Sequence, residues 1–130
     1  MIDYRDTHDV DLGQLARLFA TAGWHERIRD PARLAQLVRG SLYVVSAWEN
    51  DRLVGFARAI SDGASNAYVS TVAVLPEHRG RGIGREMMRR LLDGHDGVLF
   101  VLHARPELQP FYAKHGFEHA SDMLRRPRKF

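Results

Sequence analysis

The sequence has no cysteine, no long uninterrupted apolar run and no repeated or low-complexity tract. Without thiols the chain forms neither disulfides nor thiolate metal sites, so a reducing compartment is permitted. No apolar run approaches the ~20 residues of a membrane span, and the first residues lack the apolar core of a signal peptide. We therefore expect a soluble, cytoplasmic protein that has no membrane partner.

The charge of the chain is close to balanced. Nineteen Lys and Arg residues are offset by sixteen Asp and Glu residues spread along the sequence, which leaves a formal net charge of +3. This excess favours an anionic ligand, and without interleaved aromatic residues it does not favour a nucleic-acid partner. With 130 residues, of which 45% are hydrophobic, the chain suits a single domain over residues 1–130 that buries its own core.

The spacing of apolar residues predicts two helices in the first third of the chain. In residues 9–24 the apolar positions recur at helical spacing until Gly23, which suits a helix end. In the second helix Asp30 can cap the first turn, Pro31 fits within that turn, and Gly40 can terminate the helix.

The rest of the chain alternates strands and helices. Two helices are predicted, one directly after a glycine-rich segment and a shorter one over residues 107–115 that ends at Gly116. The first two predicted strands form an antiparallel hairpin, and the fourth is expected to be buried. The strands are predicted at residues 42–48, 53–60, 67–74, 97–104 and 117–126. This order indicates an α/β fold around a central sheet.

The glycine-rich segment reads "VLPEHRGRGIGREMM" and joins a strand to a helix. Such a junction directs unpaired backbone N–H groups and the positive end of the helix dipole at one point, where phosphate is the natural occupant. The glycines lack the Cβ atoms that would keep a phosphate away, and the arginines add positive charge. The glycines are Gly80, Gly82 and Gly84, and the arginines are Arg79, Arg81 and Arg85.

Two better-known phosphate loops do not fit this segment. The Walker pattern needs a Gly-Lys-Ser/Thr, which is missing, and the dinucleotide pattern needs a different glycine spacing and a later acidic residue. One alternative stays open, because glycines can also serve only to let a helix pack closely on a sheet.

The segment resembles the acetyl-CoA signature of the GCN5-related N-acetyltransferase (GNAT) family, with Arg79, Gly82 and Gly84 in the matching positions. The later stretch "PFYAKHGFE" resembles the family's second mark, a helix that carries Tyr112 before a Gly-Phe pair. The order of the predicted elements is similar to that of the family over nearly the whole chain. Within the family the sequence is most similar to compact members related to serotonin N-acetyltransferases, which commonly carry Asp where Thr71 stands here.

The resemblance implies a mixed, mostly antiparallel sheet of about six strands flanked by about four helices. It also implies that the fourth and fifth strands diverge and that acetyl-CoA binds there, its pantetheine arm on strand amides and its pyrophosphate on the glycine loop. A local bulge would free the strand amides. The residues carried over for this cofactor are Val72, Ala73, Val74, Arg79, Gly80, Arg81, Gly82, Ile83, Gly84 and Arg85.

The resemblance also implies a direct attack of an amine on the thioester carbonyl. The Val72 amide is expected to stabilise the oxyanion, and Tyr112 is expected to protonate the departing thiolate. His103 is the candidate base, and Trp24 is the candidate contact with the acceptor. Two further candidates for the amine pocket are His25 and Asp62, and His78 is expected on the surface of the phosphate loop.

We expect no metal, because His115 and His119 are separated by a helix-ending glycine and no third ligand is apparent. The sequence thus predicts an N-acetyltransferase that acts on a small-molecule amine. A protein amino group is the alternative acceptor, and a non-catalytic acyl-CoA sensor is the alternative class of function. A homodimer is a further expectation.

Overall fold

A computed structural model describes residues 1–129 of the chain, which form a five-stranded sheet with helices on both faces. The strands are β1 (Ile2–Arg5), β2 (Tyr43–Glu49), β3 (Arg52–Ser61), β4 (Asn66–Val74) and β5 (Leu99–Leu102). The helices are α1 (Leu12–Thr21), α2 (His25–Ile28), α3 (Pro31–Arg39), α4 (Ile83–Leu92) and α5 (Gln109–Ala113). Short 3₁₀ turns cover Pro76–His78 and Pro106–Leu108.

The spatial order of the strands follows the sequence, β1-β2-β3-β4-β5. The first four strands pair antiparallel, whereas β5 pairs parallel to β4. A parallel pair needs a crossover connection, and α4 provides it. This is the mixed, mostly antiparallel sheet that was predicted.

The two helices predicted in the first third of the chain form as α1 and α3. Asp11 caps α1 by accepting a hydrogen bond from the Gln14 amide at 3.0 Å. Asp30 caps α3 by accepting one from the Ala32 amide at 3.0 Å, with Pro31 in the first turn. These side chains satisfy backbone donors that have no partner within a helix.

The core lies on both faces of the sheet because neighbouring residues of β3 face different helices. Phe56 packs on Phe19 of α1, with the ring centroids 6.1 Å apart. Gly55 faces α4 so closely that a Cβ there would lie 3.0 Å from Met87 Sδ and 3.1 Å from Ile83 Cγ2. The approach of α4 to β3 therefore depends on glycine at this position.

The sheet differs from the prediction at both of its edges. The strand predicted at residues 117–126 is absent, so the described residues form five strands and not six. This segment has no alternating apolar side chains to bury, and most of it is exposed. At the edge opposite β5, the short strand β1, which was not predicted, pairs with β2. The prediction that the fourth strand is buried was also wrong, because β5 is an edge strand and Leu99 is 63% exposed.

Candidate functional site

The sheet opens between β4 and β5. Their parallel pairing runs from Asn66 opposite Leu99 to Val69 opposite Leu102 and ends there. Since β4 continues to Val74, its last five residues have β3 on one side and no strand on the other. We call this opening the gap.

A bulge in β4 lies at the point where the gap begins. In the register with β3, Thr71 is opposite Arg58 and Val69 is opposite Ala59, so Ser70 is an extra residue on β4. A bulge bends its strand and increases the local twist. The bend at Ser70 therefore coincides with the divergence of β4 from β5, as the family resemblance implied.

The hydrogen bonding of β4 with β3 fixes which backbone groups face the gap. The Leu75 amide donates to Val54 O at 2.9 Å. Antiparallel strands exchange hydrogen bonds at every second residue pair, so Ala73, two residues earlier, exchanges hydrogen bonds with Phe56. The predicted cofactor contact at the Ala73 amide therefore does not fit this geometry, because that amide faces β3.

The backbone groups of Val72 and Val74 face the other way. Val74 O accepts a hydrogen bond from Arg79 Nε at 3.2 Å, which shows that this residue points away from β3. By the same alternation Val72 presents its amide to the gap. Two of the three predicted strand contacts thus lie where a ligand in the gap can reach them.

Two glycines leave open space at the start of α4. Gly80 and Gly82 have φ angles of 80° and 81°, which side-chain-bearing residues rarely adopt. No atom lies within 4 Å of the position where either Cβ would stand. The first backbone hydrogen bond of α4 runs from Glu86 N to Gly82 O at 3.0 Å, so the amides of residues 83–85 have no acceptor within the helix.

Gly84 serves a different purpose. A Cβ at this position would lie 3.5 Å from Phe111 Cζ and 3.9 Å from Val74 Cγ2. These are ordinary packing distances, so Gly84 brings α4 close to α5 and β4. The alternative of close packing therefore describes Gly84, whereas the space in front of Gly80 and Gly82 is open.

The three loop arginines have different surroundings. Arg79 reaches back to β4 through the hydrogen bond with Val74, and Arg81 Nη1 lies 3.6 Å from Glu49 Oε2. Arg85 is exposed and forms no ion pair with any of residues 1–129. Burial lowers the pKa of His115, and the nearby charge of Arg85 lowers it further. Arg85 is therefore the loop cation that is most available to an anionic ligand.

His78 was predicted on the surface of the phosphate loop, but the structure buries it beneath the loop, where it is 3% exposed. Its Nε2 donates to Glu49 Oε1 at 3.0 Å, and this hydrogen bond lowers the pKa of the Glu49 carboxyl below its usual range. Glu49 also faces Arg81, so one carboxylate on β2 binds two residues of the loop. The 3₁₀ turn at Pro76–His78 directs the imidazole inward, which the sequence did not reveal.

Tyr112 on α5 is partly buried between two rings. Its ring centroid lies 5.0 Å from that of Phe111 and 5.9 Å from that of Phe117, both edge to face. Burial raises the pKa of the Tyr112 phenol above its ordinary value. A phenol of ordinary pKa is already protonated at neutral pH, which is the state that a proton donor needs, and burial favours the same state.

The residues predicted to lie beside the acceptor amine, Trp24 and His103, are on the α1 side of β4. The Trp24 ring packs edge to face on Phe19 at 5.3 Å, and the Arg27 guanidinium lies 4.6 Å from its centroid on another side. His103 is exposed and contacts the Tyr68 ring edge to face at 5.9 Å. Trp24 thus holds an arginine in place, a contact that sequence reasoning missed.

The two other acceptor candidates are both exposed, and one has a clear structural role. His25 begins α2 at the surface. The Asp62 carboxylate accepts hydrogen bonds from the amides of Ala64, Ser65 and Asn66, which lower its pKa. Asp62 therefore closes the turn before β4 and is a poor proton acceptor.

A second overlooked residue is Arg58, which is 4% exposed in the middle of β3. It donates to hydroxyl groups at 3.0 to 3.1 Å, and one of them is that of Thr71. The signal was present, since a lone arginine interrupts the apolar run "LVGFARAI". Sequence reasoning did not use it because its partners lie on other elements.

A large cavity lies beside the gap and not in it. Its volume is about 1810 Å³, and β5, α5 and residues 117–123 line it. Tyr112 and His103 reach this cavity, whereas Val72, Val74 and the glycine loop do not line it. The free backbone groups are found in the gap, so the gap is the candidate site.

Within residues 1–129 no group of three potential metal ligands occurs.

Comparison with known proteins agrees with this geometry. Residues 40–119 match the family described as "Acetyltransferase (GNAT) domain". "Uncharacterized N-acetyltransferase ycf52" of Porphyra purpurea is 34% identical over 118 residues, which cover 86% of this chain and 67% of that protein. "Serotonin N-acetyltransferase 2, chloroplastic" of Oryza sativa subsp. japonica is 35% identical over 131 residues, which cover 93% of this chain and 63% of that protein.

A solved structure shows the same fold. A GNAT family acetyltransferase from Streptococcus pneumoniae TIGR4 superposes with a TM-score of 0.79 at 26% identity, over 99% of this chain and 100% of that chain. The similarity thus extends beyond the glycine loop to the whole arrangement of strands and helices.

The buried setting of Tyr112 predicts that its phenol ionises late. With tyrosines labelled at Cζ, the NMR resonance that is lost in Tyr112→Phe should report a phenol that is less than half ionised at pH 10.0, its ordinary pKa. A midpoint at or below that pH would show that the phenol is solvated.

Proposed function

Because the chain belongs to the GNAT family of N-acetyltransferases, we propose that it transfers an acetyl group from acetyl-CoA directly to the amine of a small molecule. The observation that carries this proposal is the gap between β4 and β5, which continues into the open glycine loop. These two features offer free backbone donors along one path, as an extended ligand with an anionic end requires.

The residues of the gap and loop fit the parts of acetyl-CoA. The pyrophosphate would be held by the amides of residues 83–85 at the start of α4, by the open faces of Gly80 and Gly82, and by Arg85. The pantetheine arm would be held by the backbone groups of Val72 and Val74. In bound form acetyl-CoA supplies an activated acyl carbonyl and a thiolate leaving group.

The residues around the gap have separate tasks in the transfer. A C–N bond forms as the amine attacks the carbonyl, the C–S bond breaks, and the amine proton passes to a base. The Val72 amide donates to the oxyanion that develops on the carbonyl oxygen. Tyr112, whose phenol is protonated at neutral pH, donates its proton to the sulfur. His103 remains the proposed base, and its exposed position permits relay through water.

Two other functions remain candidates. A protein amino group is an acceptor of the same chemistry, and the cavity beside α5 is broad enough to accept a chain segment. A non-catalytic acyl-CoA sensor would keep the gap and the loop, but it would not need a proton donor for the leaving thiolate. The presence of Tyr112 therefore supports the enzyme.

The cellular setting and the assembly stay proposals. Within the described part of the chain no helix is long and apolar enough to cross a membrane. We propose a cytoplasmic location, whereas the name of the rice relative assigns that protein to the chloroplast. We also propose that the chain forms a homodimer, since β5 leaves one edge of the sheet unpaired among the described residues.

Cofactor binding is tested at Gly82, where the left-handed backbone tolerates Asn better than a branched residue. Gly82→Asn places a side chain in the open space before α4 and should weaken CoA binding about tenfold or more, as measured by calorimetry. The matched control is Gly94→Asn, because Gly94 has a φ angle of 78° and equally open surroundings at the other end of α4. Equal affinities in the two variants would refute the phosphate site.

Proton donation is tested by Tyr112→Phe, which keeps the ring between Phe111 and Phe117 and removes the phenol. We expect kcat to fall on the order of a hundredfold while CoA affinity stays near that of the wild type. The assay is thiol release from acetyl-CoA with an amine accepted in a screening panel. Wild-type turnover under conditions where chemistry limits the rate would make Tyr112 a packing residue.

A further inference from the structure

Two arginines and two hydroxyl side chains that have no acidic partner among residues 1–129 lie on the α1 side of β4, directly before the gap. We call this group the donor cluster, and it consists of Arg27, Arg58, Ser70 and Thr71. Ser70 forms the bulge in β4, Thr71 follows it, and both arginines donate to the Thr71 hydroxyl. The cluster is not part of the proposed acetyl-CoA path, which uses the backbone of the following residues.

Arg58 carries a buried positive charge that only neutral groups contact. Its three nitrogen atoms donate to Thr71 Oγ1 at 3.0 Å, Ser41 Oγ at 3.1 Å and Ser70 Oγ at 3.0 Å. These bonds use three of the five N–H donors of a guanidinium. Among residues 1–129 no carboxylate lies within 4.0 Å of it. A buried charge is costly without a counter-ion, so the site lacks a negative partner.

Arg27 adds a second cation to the same oxygen atom. Its Nη1 lies 3.3 Å from Thr71 Oγ1, and its guanidinium rests on the Trp24 ring. Burial lowers the pKa of Arg27, and repulsion from Arg128 lowers it further. In the described part of the chain it has no carboxylate partner either. Arg27 is only half-buried, so unlike Arg58 it is accessible from outside.

The hydrogen bonding of Thr71 shows that the donor cluster lacks an acceptor. A threonine hydroxyl has two lone pairs and one proton, and here both lone pairs receive guanidinium N–H groups. Thr71 is 2% exposed, yet within residues 1–129 its own O–H has no acceptor. Ser41 provides the contrast, because its hydroxyl accepts from Arg58 and donates to Leu37 O at 2.7 Å. The donor cluster therefore lacks an acceptor group that carries negative charge.

The cluster lies next to the proposed reaction centre. Thr71 directly precedes Val72, whose amide faces the gap, and neighbouring Cα atoms are about 3.8 Å apart. An anionic group bound at Arg27 and the amine that attacks the acyl carbonyl would thus be close enough to belong to one small molecule.

We propose that the donor cluster selects acceptor amines that also carry a carboxylate, such as amino acids. Arg27 contacts the carboxylate, Arg58 supplies buried charge behind it, and Trp24 is a positioning residue for Arg27. The inference rests on the proposed acetyl transfer, because it identifies the acceptor class for that reaction.

The first test measures binding and does not need turnover. Calorimetry on the CoA-saturated protein compares a panel of N-acetyl amino acids with the corresponding N-acetyl amino acid amides, which differ only in the charge of the terminal group. We expect the carboxylates to bind about tenfold more tightly, as a charged hydrogen bond allows. Arg27→Gln should reduce this ratio to about one. The control Arg29→Gln should retain it, because Arg29 is exposed and pairs with Glu26 at 2.7 Å.

A second variant supplies, from the protein itself, the negative charge that the donor cluster lacks. Thr71→Asp puts a carboxylate between the two guanidinium groups and should also abolish the preference for carboxylates. Thermal unfolding of this variant checks that it is folded. If the folded Thr71→Asp protein kept the preference, the anion would bind elsewhere and the inference would be wrong.

The third test separates this inference from the proposed function. Thiol release from acetyl-CoA is measured with amino acids and with their carboxamides. A preference for carboxylates in kcat/KM that Arg27→Gln removes supports both proposals. Equal binding and equal turnover of the two series would overturn the inference while acetyl transfer stands. Preferential binding of carboxylates without any thiol release would support the anion site and overturn the proposed function.

Discussion

The end of the pairing between β4 and β5 at Val69 and Leu102 is the constraint on which the rest of the site depends. Beyond it β3 is the only strand among residues 1–129 that pairs with β4, so every second residue directs its backbone groups into the gap. The bulge at Ser70 lies where the two strands diverge, and the chain then passes from Val74 through the glycine loop into α4. The glycine loop therefore joins the backbone groups that β4 directs into the gap to the free amides at the start of α4.

The backbone and the side chains of this short segment face different directions, so each of the two proposed ligands has its own side of the strand. The backbone of Val72 and Val74 is directed into the gap, where acetyl-CoA is proposed to bind. The side chain of Thr71 is directed toward Arg27 and Arg58, where an anionic acceptor is proposed to bind. The loop itself is fixed from below, because Glu49 on β2 binds two of its residues. Acyl donor and acceptor would thus meet across one strand.

Local chemistry predicted those parts of the molecule that depend on neighbouring residues. The cap at Asp30, the hairpin and the glycine loop are all local patterns, and the structure contains them. The burial of His78, the contact of Arg58 with Thr71 and the orientation of Ala73 depend on residues distant in sequence and on strand register. No pattern within a single segment carries that information. The strand expected at residues 117–126 did not form because its side chains offer no apolar face to pack.

Hydrogen exchange of individual backbone amides, measured by NMR with and without acetyl-CoA, tests the central claim most directly. The account predicts that acetyl-CoA slows exchange at Val72, Val74 and residues 83–85, whose amides gain acceptors, and leaves Ala73 unchanged because it is already bonded to β3. Unchanged exchange at Val72 and Val74 under saturating acetyl-CoA would contradict the assignment of the gap as the cofactor site.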